Sequence, residues 1–567
     1  RILLEAKAFT NADAGTLYLN NKEKELTFQI VRNDTLNIAY GGTTGAEIKF
    51  KPVPLITETG APNMHNVASF SALTGKVINV ADAYSDEDEW DFSGTKRFDD
   101  STGYHSKSFL TVPLKNHENL VIGVMQLINA KDSTGAVVPF DSARLPLVEA
   151  LASQAAVSID NHQLIEAQKQ LLDSFIELIA AAIDAKSPYT GGHCQRVPEL
   201  TKMLTRAVCD SNAEPFKNFN LTEDEWYELH IACWLHDCGK VTTPEFVVDK
   251  ATKLETIYDR IHEVRMRFEV LKRDAEIEYL KARLEGGDQP KLKAAFEAQL
   301  KALDEDFAFI GECNVGGEFM APARIERMQK IAQRKYTRTL SDRIGISLAE
   351  RQRREREPEK ALPAQEPLLQ DRYDHIIERD ATDLMPPDNK WGFKLKVPER
   401  KFNLGEMYNL SIGRGTLTDE DRYKINDHIV QTIIMLEGLP FPRHLRRVAE
   451  YAGGHHEKMD GTGYPRGLKR DQMSIPARVM AIADIFEALT AADRPYKPPK
   501  TLAESIKIMG FMVKDRHIDP DLFRLFLESG IYKEYAEKYL KPDQIDDVDV
   551  TPYLALAPAP MPAPARA

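Results

Sequence analysis

Apolar positions along the chain change period several times, and each change predicts a different element. From Arg1 to about Asp160 the runs "AGTLYLNN", "ELTFQIV", "SFLTVPLK" and "VIGVMQLINA" read as strands separated by Gly-, Asn- and Asp-rich loops, with helical pattern between them. An α/β unit over residues 1–160 follows. After Pro146 a helical pattern continues to about Asp184, and Val157, Leu164, Leu171 and Leu178 recur every seven residues. That repeat draws an apolar seam along one side. Roughly 40 residues rising 1.5 Å each would span about 60 Å. Residues 161–184 therefore predict a linking helix that pairs with its twin in a homodimer, the alternative being that the leucines pack on their own domains. From 185 to 545 the pattern is helical, broken over 263–408. There "EVRMRFEVLKRDAEIEYLKARLE", a "GGDQP" turn and "KLKAAFEAQLKALDEDF" predict a charged helical hairpin, followed by the charge run "RQRREREPEK" and irregular stretches such as "LMPPDNKWGF". The hairpin is expected to serve dimer contact or docking. The Pro/Ala-rich end "LALAPAPMPAPARA" predicts a disordered tail over 546–567.

Composition narrows the functional classes. A length of 567 residues exceeds one ordinary core, and a net charge of −13 gives no footprint for a nucleic-acid polymer. No run is long and apolar enough for a membrane span, and no leader is evident. The chain begins at Arg1 inside a helical pattern, so the natural N-terminus is expected upstream. Five cysteines (Cys194, Cys209, Cys233, Cys238 and Cys313) are odd in number and lack paired spacing, which predicts reduced thiols and a cytoplasmic location.

Histidines and aspartates recur in small clusters between residues 183 and 497: His193 in "YTGGHCQRV", His236, Asp237 and Lys240 in "LHDCGK", His428 in "INDHIV", the doublet His455–His456, and Asp484 in "AIADIFEAL". One histidine on a helix is ordinarily a satisfied polar residue. An adjacent His-Asp beside apolar "WL" needs buried partners, and a metal satisfies both side chains. Nitrogen and oxygen donors without cysteine favour six-coordinate iron or manganese over structural zinc. If Asp237 bridges, five histidines and two aspartates serve two divalent ions and leave positions open for substrate oxygens. Two such ions about 3.5–4 Å apart acidify a water between them and polarise a phosphoryl oxygen.

Longer phrases carry family resemblances. "ADAGTLYL", "TGKVINVADAY" and "SFLTVPLKNHENLVIGVMQLINAK" resemble a GAF domain over nearly all of 1–160, which implies an α/β sensor. Its "NAK" and "PFDSARL" match the cyclic-nucleotide-binding members only in part. The GAF ligand is therefore unknown, and a purely dimerising role stays open. "LHDCGK", "HHEKMDGTGYP" and "ARVMAIADIFEALTAADRPYK" are similar to the HD-GYP branch of the HD phosphohydrolases, over roughly 165–262 and 410–530. That resemblance implies an all-α domain at 185–545 with a helical insertion, and hydrolysis of cyclic di-GMP to pGpG, with GMP as a further product left open. It implies His193, His236, Asp237, His428, His455, His456 and Asp484 as metal ligands, with Asp237 and Lys240 at the chemistry. It also implies Arg494 and Lys497 as grips on substrate phosphates, and Tyr464 in the GYP loop as a stacking face.

His428 lies eleven residues after Leu417, the family's interval, whereas His262 lies eight after Leu254, so His428 is the expected ligand. Members with a third metal carry a glutamate four residues before the first ligand histidine. Tyr189 stands there, which predicts a binuclear centre. Two other readings stay open: an HD-type phosphohydrolase for another cyclic dinucleotide or nucleotide, and a non-catalytic cyclic di-GMP-binding scaffold.

Overall fold

A computed structural model describes residues 1–556 except 22, 86–89, 187–191, 318, 387 and 493–498. Its contacts divide the chain into two units, Arg1–Leu172 and Asp173–Ala567.

The strand-like runs of the first unit become an antiparallel sheet. Its strands are β1 (Ala12–Asn20), β2 (Glu25–Asn33), β3 (Ile38–Gly41), β4 (Val53–Pro54), β5 (Ile78–Val80), β6 (Phe109–Lys115), β7 (Val121–Lys131) and β8 (Val137–Val138). The order is β3-β2-β1-β7-β6-β5, with β4 on β2 and β8 on β7. Alternation along each strand sends successive side chains to opposite faces. Leu17, Leu110, Val112, Leu114, Met125 and Leu127 meet the Ile2–Thr10 helix and the start of the following long helix. Tyr18 and Val124 turn to the other face, against Ala68 and Leu55.

The long helix spans Leu145–Lys186, 42 residues. It begins well before the expected linker because Val148, Ala152, Ala155 and Ala156 are buried against the sheet. Beyond them the seam is bare: Val157, Leu164, Leu171 and Leu178 are 47%, 55%, 57% and 64% exposed. Among the described residues no helix is long and apolar enough to cross a membrane.

In the second unit the helices His193–Asp210, Ile475–Thr490, Leu502–Lys514, Pro520–Glu528 and Ile531–Tyr539 close one apolar core around Leu204, Ile482, Phe486, Ile506 and Phe526. The insertion differs from its expectation. The hairpin is present as Ile261–Leu284 and Gln289–Val315, but with the flanking Leu254 and Leu410 it closes a separate core, in which Phe268, Ile310, Met328 and Leu368 are also buried. The stretches read as irregular contain two small antiparallel sheets, Lys335–Arg338 with Ala364–Pro367 and Ile376–Glu378 with Arg400–Asn403. Strands of three or four residues are too short to leave a periodic signature.

The insertion's two ends are bonded to each other. Lys250 pairs with Asp421 at 2.8 Å, and Thr416 Oγ1 donates to the Lys250 carbonyl at 3.0 Å. The buried Lys253 ammonium donates to the Leu410 and Ile412 carbonyls at 3.0 and 2.9 Å. Part of the expected C-terminal tail is ordered instead. Val548, Val550, Tyr553 and Leu556 pack on the core, because this part of the segment is still apolar. Residues 557–567 lie outside the described part.

Candidate metal centre

The Glu223–Leu235 helix starts at a capping box, with Thr222 and Glu225 satisfying each other's backbone N–H groups, and carries three acids in its first turn. Both features suit the positive end of the helix dipole. Leu229, Ile231, Ala232 and Cys233 bury the helix on more than one side, and it delivers His236 and Asp237 at its end, fully or almost fully buried. Gly239 then allows a close approach that another residue would block. A Cβ there would lie 1.9 Å from the His428 carbonyl oxygen, and the Gly239 N–H donates to Thr432 Oγ1 at 2.9 Å. The Asp419–Glu437 helix is thereby drawn against the His-Asp turn, and His428 Nε2 reaches Asp237 Oδ1 at 3.2 Å.

Asp237 divides its two oxygens. Oδ2 faces His193 Nε2 and His236 Nε2, each at 3.2 Å, and the Lys240 ammonium at 2.5 Å. Asp484 Oδ1, from the Ile475–Thr490 helix, lies 3.4 Å from His193 Nε2 and 4.0 Å from His236 Nε2. On the other side His456 Nε2 faces His428 Nε2 at 3.2 Å, with the His455 ring 4.1 Å from that of His456. All seven expected ligands therefore gather into two groups that share Asp237. They are His193, His236, Asp237 and Asp484, and Asp237, His428, His455 and His456, with donor atoms in each within 4.8 Å of one another.

The donors are also oriented. His236, His428 and His455 each donate Nδ1–H to a backbone carbonyl three residues earlier, that of Cys233, Ile425 and Ala452 respectively, at 2.5–2.7 Å. This fixes the tautomer and leaves the Nε2 lone pair facing inward. Among the described residues, His236 Nε2, Asp237 Oδ1 and His455 Nε2 are buried without a hydrogen-bond partner. A buried acceptor left this way is costly, and a cation satisfies it. The residues present thus fit divalent ions.

Electrostatics point the same way. Burial would lower the His193 pKa, but Glu487 and Asp237 carry it up to about 10. Burial would raise Glu487, yet His193 and Arg196 hold it at about 2. Burial, reinforced by His236, lowers His455 to about 4, and burial with its two histidine neighbours also lowers His456. Both imidazoles are thus neutral donors at pH 7. Burial opposes charge on Asp237 and on Lys240, but each keeps the other ionised.

The GYP loop follows His456 directly. The Tyr464 ring stacks on His456 at 4.9 Å and 21°. Buried Glu457 accepts the N–H groups of Arg466, Gly467 and Leu468 at 2.7–3.1 Å, which clamps the loop. Gly463 is required inside this turn, since a Cβ would lie 2.3 Å from the Lys458 nitrogen. His262 joins neither group and bonds to Arg265 at the start of the insertion. Arg494, Lys497 and Tyr189 lie outside the described residues.

Glu487 and Glu457 went unremarked in the sequence. Glu487 is one turn beyond Asp484 on the same helix and accepts His193 Nδ1–H at 2.5 Å, while Arg196 holds its other oxygen at 2.6 Å. Its signal was the three-residue spacing from Asp484. Glu457 sits beside the histidine doublet, and nothing in its spacing announced three backbone partners.

Comparison with known proteins places families on both units. The GAF domain model matches residues 1–159, and an HD domain model matches residues 363–522. The second match contains His428, His455, His456 and Asp484 but begins after His193, His236 and Asp237. A 3'3'-cGAMP-specific phosphodiesterase of Vibrio cholerae is 44% identical over 83 residues, 15% of this chain and 19% of the relative. A cyclic di-GMP phosphodiesterase of Pseudomonas aeruginosa is 47% identical over 79 residues, 14% of this chain and 18% of the relative. A cyclic di-GMP phosphodiesterase of Thermotoga maritima is 33% identical over 146 residues, 26% of this chain and 36% of the relative. The aligned stretches thus span between 18% and 36% of these relatives' own lengths. By these matches residues 1–159 are a GAF domain and residues 363–522 belong to an HD domain.

Proposed function

We propose that the chain is a binuclear, metal-dependent cyclic di-GMP phosphodiesterase governed by its GAF domain. The observation that carries this reading is the pair of donor groups sharing Asp237. His193, His236, Asp237 and Asp484 would hold one ion, and Asp237, His428, His455 and His456 the other. The absence of cysteine from both sets favours iron or manganese. When bound, such ions supply Lewis acidity toward a phosphoryl oxygen and an acidified water. The chain's own residues orient the reactants. Lys240, held as an ammonium beside Asp237, offers a cation to phosphate charge that develops during bond breaking. Tyr464, with one face covered by His456, offers the other to a guanine. Arg494 and Lys497 are proposed to grip the substrate phosphates as a fork and a point charge.

Ring opening gives pGpG on this reading, and whether hydrolysis continues to GMP stays open. The exposed heptad seam of the Leu145–Lys186 helix supports a homodimer, and a still unidentified GAF ligand would act through that helix. Five free cysteines suit the cytoplasm. A second reading has a specific support, since one similar relative is named for 3'3'-cGAMP. Anaerobic purification, metal analysis and parallel assays with cyclic di-GMP and 3'3'-cGAMP test both. Two ions per chain with faster turnover of cyclic di-GMP is the expected result. Faster turnover of 3'3'-cGAMP favours the second reading, and a metal-loaded protein that hydrolyses neither overturns both.

A further inference from the structure

A cavity of about 680 Å³ lies between the insertion and the Asp419–Glu437 helix, within the range of small-molecule sites. The helix serves two places at once. His428 turns toward Asp237, whereas Tyr423, Lys424, Asp427, Val430 and Gln431 line the cavity. None of the seven candidate ligands lines it. The insertion contributes an apolar wall that includes Leu384, Met385, Phe393, Leu395 and Val397.

Charge around this wall is unbalanced. The lining holds four cations and two carboxylates. Lys401 pairs with Asp383 at 2.9 Å, and Lys424 pairs with Asp427 at 3.0 Å. Arg379 and Lys394 remain. Arg379 spends Nε on the Pro398 carbonyl at 2.8 Å and lies 4.6 Å over the Tyr423 ring, and beyond ion-pair distance it joins Lys401 in keeping the Asp383 carboxyl low. The Lys394 ammonium has no partner among the described residues, although its backbone N–H is engaged. Four cations against two carboxylates, beside apolar side chains, favour an anion with a non-polar body, because pairing and apolar burial are then gained together.

We propose that this cavity is a second ligand site, separate from the metal ligands, for a small organic anion with an apolar body. The segment that walls it also holds the GYP loop. The Lys394 N–H donates to the Pro465 carbonyl at 2.7 Å, and Arg466 Nε donates to the Trp391 carbonyl at 2.9 Å. The Arg466 guanidinium lies 5.7 Å from the Phe393 ring centroid. Occupancy therefore reaches the loop beside His456 through these hydrogen bonds, and the insertion acts as a receptor for an effector. The ligand site itself rests on the cavity alone and does not need the phosphodiesterase reading.

The test titrates the full chain with 1-anilinonaphthalene-8-sulfonate, an aromatic anion, and follows fluorescence and hydrogen exchange. One saturable site is expected. Its affinity should fall at least tenfold in Lys394→Glu with Arg379→Gln and at least threefold in Lys394→Ala, whose exposed side chain does not threaten folding. Lys390→Glu, which alters a cation outside the cavity lining, should leave affinity unchanged. Amide exchange over residues 463–468 should slow on saturation. Equal affinity in wild type and Lys394→Ala, or no saturable binding, overturns the site, and unchanged exchange over 463–468 overturns its link to the loop.

Discussion

At the scale of single residues, the site depends on one position with no side chain and one carboxylate outside the ligand set. A methyl group on Gly239 would collide with the His428 backbone carbonyl, and a backbone oxygen cannot step aside as a side chain can. Gly239→Ala should cost roughly 3 kcal/mol, as overpacking does, seen as a lowered denaturant midpoint at unchanged slope. Glu487→Gln keeps the shape but removes the charge that orients His193. Metal affinity should fall about 10–100-fold in a chelator competition, and the melting temperature should fall as well, because the buried ion pair with Arg196 is lost. His193 sits between Glu487 and Asp237 with its pKa near 10, so at pH 7 it carries a proton that an incoming ion must displace. Uptake should release about one proton, and affinity should fall as pH falls. Calorimetry in buffers of different ionisation enthalpy checks both, and a buffer-independent heat contradicts the assignment. The seven candidate ligand positions stood out because their residue types are rare in such clusters. Glu487 and Glu457 were not, since a carboxylate on a helix or in a loop is ordinarily solvated.

At the scale of elements, the GYP loop is a turn whose geometry is imposed from beneath by Glu457. Its carboxylate gathers three consecutive N–H groups that would otherwise lack partners. Glu457→Ala should speed exchange at residues 466–468 and lower kcat/KM about tenfold or more, consistent with misplacement near the reacting groups, while metal content stays at wild type. Loss of metal in that variant would mean that the loop supports the ligands rather than the substrate. The strands of the GAF unit were legible through their alternation, as was the insertion's hairpin through its length. The insertion's core was hidden because its members, from Leu254 to Leu410, are spread over the whole segment. No window of a dozen residues contains the pattern.

At the scale of the whole molecule, the unspent feature is the seam of the long helix. Four apolar side chains at heptad spacing, each about half exposed or more, are unfavourable in water and are covered when two helices pair. Replacing Leu164, Leu171 and Leu178 with Asp should convert a dimer into a monomer in light scattering, with metal content unaltered. A dimer that survives would shift the contact elsewhere, to the GAF unit or the hairpin.

The bonded base of the insertion has a further consequence. His193, His236 and Asp237 precede it and the other four candidate ligands follow, with Lys250 and Asp421 lying 171 positions apart. Were the intervening chain a flexible loop, joining its ends would cost about 4–5 kcal/mol of entropy. Because the segment closes on a core of its own, its ends already lie side by side once it has folded. The candidate centre thus draws on two halves of chain joined by a folded spacer, and it would tolerate a cut in the hairpin turn at 285–288. Fragments ending and beginning there should reassociate and still bind metal, whereas a flexible linker put in place of the spacer would restore the continuity of the chain without its preorganisation.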